Sequence, residues 1–106
     1  LLYAALTARE NVEFAARLYA LPNPAAAARQ ALERMRVADR AETPARRLSR
    51  GLQQRVSIAR AMVHEPDVVL LDEPFTGLDE LGARALTEAL TALRAHGAAL
   101  VLVTHN

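Results

Sequence analysis

The chain has 106 residues, 52% of them hydrophobic and 24% charged, with 13 basic residues against 12 acidic ones for a net charge of +1. That size and balance fit one soluble globular domain or part of one, and they exclude a sequence-blind nucleic-acid binder, which needs a clear excess of positive charge. With no cysteine there is neither a disulfide framework nor a thiolate metal site; no apolar run approaches the length that crosses a bilayer, and the opening residues lack the form of a signal peptide.

Thr7-Ala8-Arg9-Glu10 has the pattern of a capping box, so a helix is expected from about Ala8. Val12, Ala15, Ala16 and Tyr19 lie at helical spacing on one apolar face, and Pro22 ends the run. Asn23 followed by Pro24 predicts an N-cap and a first-turn proline for a second, Ala-rich helix reaching about Val37. Asp39 to Arg47 reads as a loop broken at Thr43-Pro44.

Ser49 is placed to cap a third helix, from about Gly51 to His64, stopped by Pro66. A hydroxyl, a glycine and the unpaired amides of a first helical turn also make an anion site, with phosphate the expected ligand, so cap and ligand are both open for Ser49. Val68-Val69-Leu70-Leu71 reads as a strand buried on both faces, and it delivers Asp72 and Glu73 to its carboxyl end before Pro74. Ligands of open α/β sheets bind beyond the carboxyl ends of strands. There, Asp72 can reach a Mg²⁺ and Glu73 can orient or deprotonate a water, although the pair could equally begin an ordinary turn.

Leu86, Ala89, Leu90 and Leu93 form an apolar stripe opposite Arg84, Glu88, Thr91 and Arg94, with Gly97 as the helix stop. This predicts a crossover helix. Ala98 to Val103 should then return as a strand parallel to the first, so that His105 emerges on the same side as Glu73. His64 and His96 fall near helix ends, where a structural role is expected.

Leu48-Ser49-Arg50-Gly51-Leu52-Gln53-Gln54-Arg55, the strand ending in Asp72-Glu73-Pro74, Thr76-Gly77-Leu78-Asp79, and Thr104-His105 stand in the order of the signature motif, Walker B, D-loop and switch histidine. The chain thereby resembles the ATP-binding cassette (ABC) ATPases. The resemblance implies a partial P-loop NTPase fold of the α/β class: a helical subdomain over residues 1–47, then the signature helix, Walker B strand, D-loop, crossover helix and switch strand over residues 48–106. It further implies ATP and Mg²⁺ as ligands. In this scheme Glu73 is the general base, Asp72 the Mg²⁺ carboxylate and His105 the γ-phosphate sensor. Ser49, Gly51 and Gln53 contact the ATP of the opposite subunit, and Asp79 lies at the dimer contact. Arg50 and Leu52 depart from the commonest signature, which has Gly and Gln there.

The partners implied are a second ATP-binding subunit and transmembrane permease subunits, at the cytoplasmic face of a membrane, with no nucleic acid expected. All 13 basic residues are Arg, so a P-loop, which requires a Lys, is absent from this stretch. We therefore read it as a fragment of a longer cassette, inactive alone. The alternative is a non-transport ABC protein acting on the ribosome or DNA; the span from Thr7 to Ser49 holds short helices rather than sustained heptads, which disfavours the DNA-acting relatives with their long coiled coils and leaves a ribosome-associated one open. Within the transporters, the signature, the Pro74 to Asp79 turn and the opening Leu1 to Asn11 resemble the ATP-binding subunit of the haem exporters of cytochrome c biogenesis.

Overall fold

The computed structural model describes residues 2–104, and it is α/β: α1 (Ala8–Leu18), α2 (Pro24–Arg34), α3 (Arg50–Met62), β1 (Val68–Asp72), α4 (Glu80–Ala95) and β2 (Ala99–Val103). The capping box forms as its residues dictate. The Thr7 hydroxyl accepts from the Glu10 amide at 3.0 Å, and the Thr7 amide donates to the Glu10 carboxylate at 2.8 Å. Val12, Ala15 and Ala16 are buried, whereas Tyr19, expected on their face, caps the helix end and is 57% exposed. The helix stops there because Ala20 enters the left-handed region at φ 56°, and the amides of Ala20 and Leu21 turn back onto the carbonyls of Arg17 and Ala16.

Asn23 caps α2 through its side-chain oxygen, which accepts from the Ala26 amide at 3.1 Å. This helix ends at Arg34, short of the expected Val37, since Arg36 takes φ 56° and repeats the same closure through the Val37 amide and the Leu32 carbonyl. The segment expected as plain loop contains two single 3₁₀ turns, Ala38–Arg40 and Ala45–Arg47, on either side of Thr43-Pro44. It is tied down by the chain's opening: the Ala8 amide donates to the Thr43 carbonyl and the Ala45 amide to the Leu6 carbonyl. Asn11, fully buried, donates to the carbonyls of Tyr3, Leu6 and Thr7 and accepts from the Tyr3 amide, so its polar groups are satisfied.

α1, α2 and α3 pack on one another around Val12, Leu32, Met35 and Val56, and each such large side chain, once buried, contributes about 1.5–3 kcal/mol. β1 and β2 pair in parallel, from Val68 opposite Ala99 to Asp72 opposite Val103, with α4 as the crossover between them. The predicted stripe of Leu86, Ala89, Leu90 and Leu93 is buried. The expectation of a strand buried on both faces is corrected. Val69 and Leu71 join the core, but Val68 and Leu70 are 64% and 68% exposed, because the described residues cover only one side of the sheet. Among the described residues no helix is long and apolar enough to cross a membrane.

Candidate functional site

Parallel pairing fixes the location of the acids. β1 ends at Asp72, and the Glu73 amide still donates to the Val103 carbonyl at 2.7 Å, so the ladder holds the backbone of Glu73 at the sheet's carboxyl edge. The chain then turns sharply. Glu73 sits at φ 51°, a left-handed conformation unusual for a residue with a Cβ and one that carries strain. The Thr76 amide donates to the Glu73 carbonyl at 3.1 Å, and the Thr76 hydroxyl donates to the Glu73 carboxylate at 3.0 Å, orienting it. Pro74 is fully buried, and its carbonyl accepts from the Gln54 side chain at 3.1 Å.

Asp72 and Glu73 line an open cleft of about 880 Å³ together with Arg50, Gln53, Gln54 and Thr76. Two arms thus meet in one cleft: the turn after β1 supplies carboxylates, and the first turns of α3 supply a cation and amides. Ser49 is exposed and caps α3, its hydroxyl accepting from the Leu52 amide at 3.2 Å. Gly51 abuts the turn after β1; a Cβ there would lie 2.9 Å from the Gly77 carbonyl oxygen. Gln53 donates to the Ala45 carbonyl at 2.8 Å, which ties α3 to the preceding 3₁₀ turn.

Asp79 is the N-cap of α4, accepting from the Gly82 amide at 2.8 Å. That amide, and next the Arg55 guanidinium donating at 2.8 Å, hold its carboxyl below the usual aspartate range. His105 lies outside the described residues; the cleft brings together Gln53, Asp72 and Glu73, while Gly51 abuts the turn after β1, Ser49 caps α3 and Asp79 stands at the far end of the turn.

Arg55 and Thr76 are the additions. Arg55, which stands in the signature stretch, is 6% exposed. Its sequence gives one hint, a place one helical turn after Gly51 amid Val56, Ile58 and Ala59, but period alone does not separate a buried Arg from a solvated one. Of the helix-end histidines, His96 follows expectation with Nδ1 2.8 Å from the Ala92 carbonyl. His64 instead stacks on Tyr19 at 3.6 Å between ring centres, and burial lowers its pKa.

Mg²⁺ keeps several waters and takes one or two carboxylates beside substrate phosphates, so a strand-end carboxylate such as Asp72 suits it. Among the described residues no group of three or more His, Cys, Asp or Glu is arranged to hold an ion unaided.

The family model described as ABC transporter matches residues 1–76. A fluoroquinolones export ATP-binding protein of Mycobacterium tuberculosis is 38% identical over 104 residues, covering 98% of this chain and 34% of its own length. The spermidine/putrescine import ATP-binding protein PotA of Haemophilus ducreyi is 41% identical over 99% of this chain and 29% of its own length. The Nod factor export ATP-binding protein I of Ralstonia nicotianae is 37% identical over 93% of this chain and 32% of its own length. A solved structure described as the ATP-binding subunit of an ABC transporter superposes with a TM-score of 0.87 at 36% identity, covering 99% of this chain and 45% of that one. The chain therefore spans about a third of the length of the curated relatives it matches.

Proposed function

This chain belongs to the ABC transporter family, and from that premise we propose that it works within an ATP-hydrolysing subunit that powers transport across a membrane. The observation that carries the reading is the meeting of Asp72 and Glu73 with Arg50 and Gln53 in one cleft at the carboxyl edge of a parallel sheet. Phosphoryl transfer is governed by positioning and charge, and this cleft offers both.

Glu73 acts as general base, its carboxylate oriented by the Thr76 hydroxyl to take a proton from the attacking water. Asp72 is the carboxylate for Mg²⁺, which when bound neutralises charge on the phosphates. Ser49, Gly51 and Gln53 face the ATP held by a second ATP-binding subunit, through the exposed first turn of α3 with its positive dipole end. Asp79 contributes to the contact between the two subunits, and His105 senses the γ-phosphate. The P-loop Lys comes from outside these residues, which contain none.

Permease subunits are the membrane partners, and the ATP-binding subunit sits at the cytoplasmic face. Transport is favoured over a DNA clamp by the 11-residue lengths of α1 and α2, far short of a coiled coil. The relatives named above export fluoroquinolones or Nod factor or import polyamines. Haem export rests on the sequence resemblance alone, so the proposal extends to transport and leaves the choice of cargo to the permease.

The test is Ser49→Asp in the complete subunit. Asp caps a helix as well as Ser, so the variant should fold and melt like the parent, yet its carboxylate should repel the γ-phosphate and abolish ATP-driven dimerisation and hydrolysis. A Ser49→Asp subunit hydrolysing ATP at the parental rate would overturn the reading.

A further inference from the structure

Arg55 is the one charged residue among those buried in the described chain, at 6% exposure. One guanidinium nitrogen donates to the Asp79 carboxylate at 2.8 Å, and the other donates to the Arg36 carbonyl at 3.2 Å. Its Nε is buried without a hydrogen-bond partner. Space for the group is made by Gly82, where a Cβ would lie 2.8 Å from Nε. Arg36, at the left-handed closure of α2, extends its own side chain to Glu88 of α4 at 2.9 Å.

The guanidinium therefore joins the end of α2, the middle of α3 and the N-cap of α4. Stability alone does not account for it. A buried ion pair can often be replaced by well-packed apolar groups at no loss, and an orphaned buried N–H is a cost. The Asp79 side chain is 70% exposed, so it would stay hydrated without Arg55. What the arrangement does secure is register between the helix that carries Ser49 and Gly51 and the turn that carries Glu73 at one end and Asp79 at the other.

We propose that Arg55 is a positioning residue: it locks the phosphate-facing helix α3 to the partner-facing turn at Asp79, so that contact with a second subunit at the turn and closure of the signature end on nucleotide occur as one event. This rests on the proposed ATPase function. Arg55 touches no substrate, and its effect is exerted through Asp79 and α3. The Lys ammonium, a compact point charge without the planar fork, cannot make both bonds in their present geometry.

The experiment measures ATP hydrolysis against ATP concentration in the complete subunit for the parent, Arg55→Lys, Arg55→Met and Gly82→Ala. Gly82→Ala changes no charge and favours the helix, yet its Cβ displaces the guanidinium. In the variants we expect kcat/KM to fall between about twofold and thirtyfold, the range of coupling losses through positioning networks. The Hill coefficient should drop towards one, while ATP affinity of the isolated subunit stays at the parental value. Variants that keep the parental kcat/KM and Hill coefficient, whatever their melting temperature, overturn the role of Arg55. If Arg55→Met does not fold, Gly82→Ala decides the matter by the same two readouts. A parent subunit that hydrolyses no ATP overturns the proposed function instead, so the two failures are distinct.

Discussion

Gly51 and Gly77 meet backbone against backbone, so closely that a Cβ on Gly51 would stand 2.9 Å from the Gly77 carbonyl oxygen. Gly77 itself holds φ 81°, a conformation that suits glycine, and the atom in the way is backbone rather than the end of a flexible side chain. Gly51→Ala should therefore destabilise by about 1–3 kcal/mol, the usual cost of overpacking, despite the better helix propensity of Ala. Chemical denaturation measures it. A variant as stable as the parent would show that the turn gives way freely.

Glu73→Gln in the complete subunit keeps the side chain's shape and removes the base. ATP binding should persist, and steady-state hydrolysis should fall about a hundredfold or more. Nucleotide-bound dimers should accumulate, visible by size-exclusion chromatography with ATP present. Parental turnover in this variant would reduce Glu73 to a turn residue.

The third prediction concerns acid. Burial lowers the pKa of His64 from its ordinary value of 6.5, so below that value the unfolded chain takes up a proton that the folded chain resists. Stability is then complete above the unfolded pKa and declines as pH falls through it. His64→Phe keeps an aromatic ring against Tyr19 and removes the proton site. Melting temperatures from about pH 8 to about pH 5 should fall more for the parent than for His64→Phe. The carboxyls of Glu13 and Asp79, held low by Arg17 and by the Gly82 amide respectively, lose their stabilisation only at more acid pH and affect both proteins alike. Equal pH slopes for the two proteins would show that His64 titrates as in the unfolded chain.

The helices were legible where side chains act locally. Thr7 with Glu10, Asn23 with Pro24, and Ser49 each announce a helix start by their own chemistry, and the Leu86 to Leu93 stripe announces a buried face. Gly97 announces an end, at φ 96°. The ends of α1 and α2 use the same backbone closure with Ala20 and Arg36, residues that carry no preference for it, so neither boundary nor the outward swing of Tyr19 could be read. Asp72 and Glu73 were legible because a strand's end dictates where its next residues go. The pairing of Asp79 with Arg55 was hidden because it depends on a residue 24 positions away.

At position 73 the backbone and the chemistry make opposite demands. A φ of 51° suits Gly or Asn, whereas the proposed reaction calls for a carboxylate. A library randomised at this one codon would accordingly split under two selections. Sorting for folded protein would enrich Gly and Asn, sorting for ATP turnover would return Glu, and the distance between the two winning populations would measure how much conformational strain this cassette keeps for the sake of its chemistry.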